Sequence, residues 1–156
     1  MLWNVYLVDG LVLIPTMAKT DAGFFIEVEP VSVLRSDQAE DIVVALKATI
    51  EKGNSLVETP ARDSFPKPVV LPCAKVKSWS AFEKKAICWK IVGNGSEYQL
   101  KLQKRACTRG FEDSPGGLES FVGVAGLDQL AHSVAAQIQA TESDDQQSCD
   151  GLARGL

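Results

Sequence analysis

The single histidine and the four cysteines are the side chains from which catalytic chemistry would start. His132 is the one imidazole, the usual general base near neutral pH. Its place in a predicted helix lies away from the apolar stripe, so we expect a solvated surface residue. Cys88 falls on a regular strand, where no helix N-terminus lowers its pKa, so a Cys88–His132 dyad is not favoured.

The cysteine spacing does not predict a metal site either. The chain contains Cys73, Cys88, Cys107 and Cys149, with no CxxC pair and no spacing typical of zinc. We expect reduced thiols, with the first three serving as packing or surface residues. The sequence thus predicts no catalytic residue, no metal and no cofactor.

The glycine-rich stretches resemble phosphate-binding loops only superficially. The sequence GNG at 93–95 is typical of a turn, while Gly116-Gly117 and the stretch 122–126 lack the strand-to-helix context that nucleotide loops need. No Gly-x-Ser-x-Gly motif occurs. Nucleotide binding and serine hydrolase chemistry are therefore not favoured.

Two carboxylates, Glu27 and Glu29, fall on one face of a predicted strand over 24–34. Their spacing would suit acid/base chemistry or a metal, but nothing else in the sequence marks a third participant. Solvated acids on the outer face of the strand, or an acidic patch that binds a partner, are the two remaining interpretations.

Charge is unevenly distributed along the chain, although the net charge is only −4. Residues 54–110 hold eleven basic and four acidic side chains, whereas residues 111–156 hold one basic and eight acidic. These segments either neutralise each other within the fold or serve a charged partner. The basic segment 75–105 also contains aromatic residues, so a small nucleic-acid-binding or regulatory module is the alternative function.

Composition indicates an ordered chain of ordinary size. The 156 residues are 46% apolar and 23% charged, which is typical of a globular domain and not of a disordered or membrane protein. The opening residues lack a basic region before their apolar runs, and Asp9-Gly10 interrupts those runs, so we expect a cytoplasmic protein with no membrane partner.

Hairpins and two helices account for most of the pattern. Asp9-Gly10 predicts a tight turn that joins two strands with apolar residues on both faces, and Asn94-Gly95 predicts a second hairpin with Trp89 and Tyr98 facing the core. Amphipathic helices are predicted over 38–52, capped by Asp37 and Glu40, and over 127–140.

The connections are less regular. We predict a strand in VVLPCAKV, a short helix capped by Ser78 or Ser80, and a loop over 106–126. The expected fold is α+β: one domain over 1–140, mainly an antiparallel sheet of hairpins with two amphipathic helices packed on it, followed by a flexible polar tail over 141–156.

The sequence resembles the immunity proteins of the polymorphic toxin systems by which bacteria carry out contact-dependent growth inhibition. The stretches that carry the resemblance are FPKPVVLPCAKVKSWSAFEKKAICWKI, WNVYLV and LVLIPTMAKTDAGFFIEVEPV. The resemblance centres on residues 77–82 and implies a non-enzymatic protein that neutralises a cognate toxin domain by direct binding and occlusion. Many such toxins are basic nucleases, and an acidic inhibitor would associate with them quickly. Under this resemblance, the expected contacts are Glu27, Glu29, Glu112, Asp113 and Glu119, with the basic middle segment as the docking face if the toxin is acidic.

Overall fold

The structure is a computed structural model that describes residues 1–106 and 110–153, with side chains described as far as residue 145. The chain forms an α+β single-domain fold. Its strands are β1 (Leu2–Val8), β2 (Leu11–Thr20), β3 (Phe25–Arg35), β4 (Ser55–Val57), β5 (Ile87–Gly93), β6 (Glu97–Arg105) and β7 (Phe111–Val122). Its helices are α1 (Ala39–Glu51), α2 (Val70–Cys73), α3 (Trp79–Lys85) and α4 (Gly126–Ala153), with a 3₁₀ turn at Arg62–Ser64.

Seven strands form one sheet in the order β3-β2-β1-β5-β6-β7, and the short β4 adds to β2 in parallel. The first hairpin has the predicted register, with Leu7 opposite Val12 and Tyr6 opposite Leu13. Both faces of this hairpin are apolar, and its first strand, β1, lies inside the sheet between β2 and β5. The pairing of β2 with β3 shifts between Pro15 and Thr16, at a residue that has no amide to donate to the sheet.

The second hairpin turns one residue later than predicted. The Asn94 amide donates to the Glu97 carbonyl at 3.2 Å, so the two-residue loop is Gly95-Ser96. Trp89 therefore lies opposite Leu102, whereas a turn at Asn94-Gly95 would place it opposite Leu100. The slip moves each partner by two residues, which preserves the alternation of faces, and Trp89 and Tyr98 are buried as predicted.

Helices cover both faces of the sheet, but unequally. The larger core lies between one face and the pair α1 and α4, and its fully buried residues include Trp3, Trp89 and Leu100. The smaller core lies on the other face under α2 and α3, and contains Tyr6 and Phe82. The two helices of the larger core are joined at the surface by the Lys47–Asp128 salt bridge at 3.0 Å.

Three local predictions were wrong. VVLPCAKV contains the helical turn Val70–Cys73 instead of a strand, and the predicted loop 106–126 contains β7. Helix α4 extends beyond the predicted bound of residue 140 to Ala153, and residues 154–156 of the expected tail lie outside the described part. The predicted capping box does not form. The N-cap residue of α1 is Gln38, and its side chain makes no capping hydrogen bond.

The short helix α3 begins as predicted, since the Ser78 hydroxyl accepts from the Ala81 amide at 3.1 Å. Cys88 is buried in the smaller core because α2 and α3 cover that part of the sheet. Within residues 1–106 and 110–153, the helices are too short or too polar to cross a membrane.

Candidate functional site

A groove of about 380 Å³ lies beside the first residues of β3. Its walls are mostly aromatic and apolar, and we call it the aromatic groove. It is lined by Phe24, Phe25, Ile26, Glu27, Phe65, Pro66, Lys67, Pro68 and Trp79. Three separate stretches of the sequence therefore build one concave surface.

Two phenylalanines stack at the surface of the groove. The rings of Phe24 and Phe65 have centroids 6.4 Å apart and an interplanar angle of 21°. Phe24 is 41% exposed and Phe65 is 52% exposed, so both present apolar area to solvent. Exposed stacked aromatics beside a concavity are typical of a surface that binds another molecule.

The two segments that precede these phenylalanines are joined by hydrogen bonds. The Asp21 carboxylate accepts from the backbone amide of Thr59 at 3.1 Å and also from its hydroxyl, and the same hydroxyl accepts from the Ala22 amide at 3.1 Å. The Thr59 hydroxyl bond lowers the pKa of Asp21. Pro66 and Pro68 restrict the backbone further along, so Phe65 is presented from a stiff segment.

Glu27 is the acidic residue that lines the groove, and it is half-buried. Its Oε1 accepts from the Tyr6 hydroxyl at 2.5 Å and from the Asn4 side-chain amide at 3.1 Å. Tyr6 itself is buried against Phe82 and Trp79. The carboxylate is therefore positioned by the central strand β1, not only by its own strand.

Burial alters the acidity of this group. Desolvation raises the pKa of Glu27 above its ordinary value, although the hydrogen bonds from Tyr6 and Asn4 act in the opposite direction. Burial, and then the nearby Glu27 charge, raise the pKa of Tyr6 well above its ordinary value. Tyr6 is thus a hydrogen-bond donor across the physiological range, and Glu27 is an acceptor whose charge is incompletely solvated.

The fold has a counterpart among solved structures. It is similar to a protein of unknown function, NMB0488, from Neisseria meningitidis, with a TM-score of 0.61 and 9% sequence identity over 88% of this chain and 90% of that chain. At that identity the likeness shows the fold alone. No protein-family model and no curated protein matches the sequence.

The five acids expected to bind a partner do not form one patch. Glu27 and Glu29 lie on β3, whereas Glu112, Asp113 and Glu119 lie on β7, and these strands are the opposite edges of the sheet. The sequence could not show this separation, because it depends on the order of the strands.

Three of the five acids also make internal hydrogen bonds. Glu27 is bonded to β1, as described above. Asp113 accepts from Gln103 at 2.8 Å, which is the main reason that its pKa is lowered. Glu119 accepts from Gln137 of α4 at 2.7 Å and so ties β7 to the helix. Glu29 and Glu112 are exposed.

The basic segment 75–105 does not display most of its aromatic residues. Phe82, Trp89 and Tyr98 are buried, whereas Trp79 is half-buried and lines the aromatic groove. Lys101 is paired with Asp113 at 3.3 Å. Stacking of bases would require exposed rings among the lysines, which this segment does not provide.

The histidine and the buried cysteine are separated by the sheet. His132 is exposed on α4, and its Nδ1 lies 3.4 Å from the Asp128 carboxylate. Cys88 is buried in the core on the other face, where burial raises the pKa of its thiol. They cannot act as a dyad in this fold. Among the described residues, no cluster of three or more His, Cys, Asp or Glu side chains is arranged to hold a metal ion.

Sequence reasoning identified Glu27 but missed the groove around it. Phe24 and Phe65 are 41 positions apart in the sequence and neither belongs to a recognisable motif. The one available signal was the run of Pro60, Pro66 and Pro68, which indicates a stiff connection but not where it lies. The site depends on tertiary contacts between β3, the proline segment and α3.

Proposed function

We propose that this chain is a binding protein that neutralises a cognate toxin domain by direct binding and occlusion, as an immunity protein of a bacterial polymorphic toxin system. The observation that carries the proposal is the aromatic groove with its exposed Phe24–Phe65 pair. The resemblance of residues 65–91 to such immunity proteins gives the class of partner.

The chemistry of the groove suits a protein partner. Aromatic side chains bury a large area at a small cost in side-chain entropy, and they are enriched among the few residues that dominate the free energy of binding. The backbone that carries the Phe24 ring is fixed, because the Phe24 amide and carbonyl are both hydrogen-bonded to Thr20. A prearranged anchor of this kind lowers the cost of ordering on association.

Occlusion requires only a stable scaffold and a complementary surface. The chain has two cores, one on each face of the sheet, and the groove lies at the β3 edge beside the smaller one. Exposed Glu29 lies on the same strand as the groove and provides an acidic rim on that side. Opposite charge at a rim mainly accelerates association with a basic toxin.

The proposal predicts a toxin gene next to this reading frame, and co-expression with that gene tests it. We expect the wild-type chain to restore growth and to co-elute with the toxin domain on a sizing column. Continued killing without a complex would refute the proposal, and retention of the chain on an oligonucleotide column at low salt would favour the nucleic-acid-binding alternative.

Variants locate the docking surface in the same assay. The double substitution Phe24→Ala and Phe65→Ala removes the exposed pair and should abolish protection. The matched control is Val44→Ala, which removes an apolar residue that is 67% exposed on α1, on the opposite side of the sheet. We expect this control to protect as the wild type does.

A further inference from the structure

We propose that the aromatic groove receives a basic side chain, an arginine or a lysine, from the partner protein, and that its charged end binds Oε2 of Glu27. This inference rests on the proposed function, because it names the chemistry of the partner at the same site.

The Glu27 carboxylate has one occupied and one available oxygen. Both of its hydrogen bonds, from Tyr6 and from Asn4, end on Oε1. Among residues 1–106 and 110–145, whose side chains the structure describes, no side chain or backbone amide donates to Oε2. A carboxylate oxygen without a donor in a partly desolvated site gains from a charge-assisted hydrogen bond more than one in bulk water does.

The rings beside the carboxylate suit the rest of a basic side chain. Phe24, Phe25, Phe65 and Trp79 provide apolar area for the methylene groups, and their faces attract a cation. One of these rings already does so, since Lys19 Nζ lies 6.0 Å from the centroid of Phe25. A guanidinium fits best, because it is planar, stacks on aromatic rings and is weakly hydrated.

The two charges that line the groove, Glu27 and Lys67, cancel, so the choice between a cation and an anion depends on which of them is desolvated. Lys67 also lines the groove, but its side chain is exposed, and in the described part of the chain no salt bridge joins it to Glu27. Lys67 can therefore remain in solvent when the groove is filled. An acidic side chain would have to approach the half-buried Glu27 carboxylate, which repels it in a site of lowered dielectric.

The experiment uses a capped amino acid as the probe, so it does not need the toxin. Nα-acetyl-arginine N-methylamide is titrated into the wild-type protein, and the amide resonances of Phe24 and Ile26 and the indole resonance of Trp79 are followed by NMR. The neutral comparison is Nα-acetyl-citrulline N-methylamide, which has nearly the same shape. We expect the arginine probe to bind about tenfold more tightly than the citrulline probe, the effect of one charge-assisted hydrogen bond.

Two variants assign that preference to Glu27. Glu27→Gln retains an acceptor for Tyr6 and removes the charge, so it should reduce arginine binding to the level of citrulline. Glu51→Gln removes an exposed charge on α1, away from the groove, and should leave the affinity within about twofold of the wild type. An equal loss in both variants, or equal binding of the two probes to the wild type, would overturn the inference.

The outcomes separate this inference from the proposed function. If the chain protects against the toxin but binds both probes equally, the groove does not select a basic side chain, and the proposed immunity function is unaffected. If the arginine preference depends on Glu27 but the chain gives no protection, the groove binds cations in another role. If Nα-acetyl-glutamate N-methylamide bound more tightly than the arginine probe, the groove would bind an anion through Lys67, and the inference would be contradicted.

Discussion

Replacement of Glu27 by leucine should destabilise the protein, although it removes a buried charge. The substitution leaves the Tyr6 hydroxyl, in a residue that is 3% exposed, and the half-buried Asn4 amide without their shared acceptor. An unsatisfied buried donor costs about 1–3 kcal/mol, and the loss of a desolvated carboxylate offsets part of it. We expect the free energy of unfolding at pH 7 to fall by about 2 kcal/mol, which lowers the Tm by about 4–8 °C in a domain of this size.

Glu27→Gln is the matched variant, because it retains the acceptor and removes only the charge. The pKa of Glu27 is raised by burial, so the folded protein binds this proton more tightly than the unfolded chain does. The contribution of this proton binding to the free energy of unfolding is fully present below the pKa of Glu27 in the unfolded chain, about 4.3. It is lost as the pH rises through the raised pKa of Glu27 in the folded protein. The Gln variant should therefore gain stability relative to the wild type as pH rises from about 4 to 8.

Urea unfolding of the three proteins at several pH values measures both effects. If the leucine variant is as stable as the wild type, the hydrogen bonds of Glu27 contribute little to the fold. If the wild type and the Gln variant share the same pH dependence, the desolvation argument for this carboxylate is refuted.

Three further substitutions or modifications test the packing. Leu100→Ala should cost about 2–5 kcal/mol in chemical denaturation, because Leu100 is 1% exposed between the sheet and α4, and a cost below 1 kcal/mol would place it outside the core. Gly93→Ala should destabilise by about 1–3 kcal/mol, because a Cβ there would lie 2.6 Å from the Tyr98 ring, and an unchanged Tm would contradict this contact. Native alkylation followed by peptide mapping should leave Cys88 unmodified, because burial raises its pKa and shields it, whereas half-buried Cys73 should react first of the two.

Local turn chemistry made the hairpins predictable. Asp9 and Gly10 both have positive φ, at 48° and 75°, as the two-residue turn requires, and the register of the first hairpin follows from it. In the second hairpin, Asn94 instead uses its side-chain oxygen to accept from the Ser96 and Glu97 amides, which moves the turn by one residue. The prediction of which side chains face the core was still correct, because the pairing was shifted by two residues, an even number.

The wrong elements have identifiable causes. β7 contains Pro115, Gly116 and Gly117, which suggest a loop, but it is an edge strand with an irregularity opposite residues 101–103, where a proline and a positive φ are tolerated. The stretch VVLPCAKV, which contains the Val70–Cys73 turn, is rich in valine and other apolar residues, and a short apolar run does not distinguish a strand from a buried helix.

The candidate site was less predictable than the fold. Strand alternation singled out Glu27 and Glu29, but it treated them as equivalent outer acids. The structure distinguishes them: Glu27 is half-buried and bonded to β1, and Glu29 is exposed. The difference comes from strand β1, which is more than 20 residues away in sequence and reaches Glu27 through Tyr6.

The affinity of the purified toxin domain for the groove variants tests the central claim most directly. Isothermal titration should show that the combined Phe24→Ala and Phe65→Ala substitution weakens binding by at least about 2 kcal/mol, a roughly 30-fold increase in Kd, while Val44→Ala changes it by less than about twofold. Equal affinities for the wild type and the double variant, with both proteins folded, would show that the aromatic groove is not the surface that occludes the toxin.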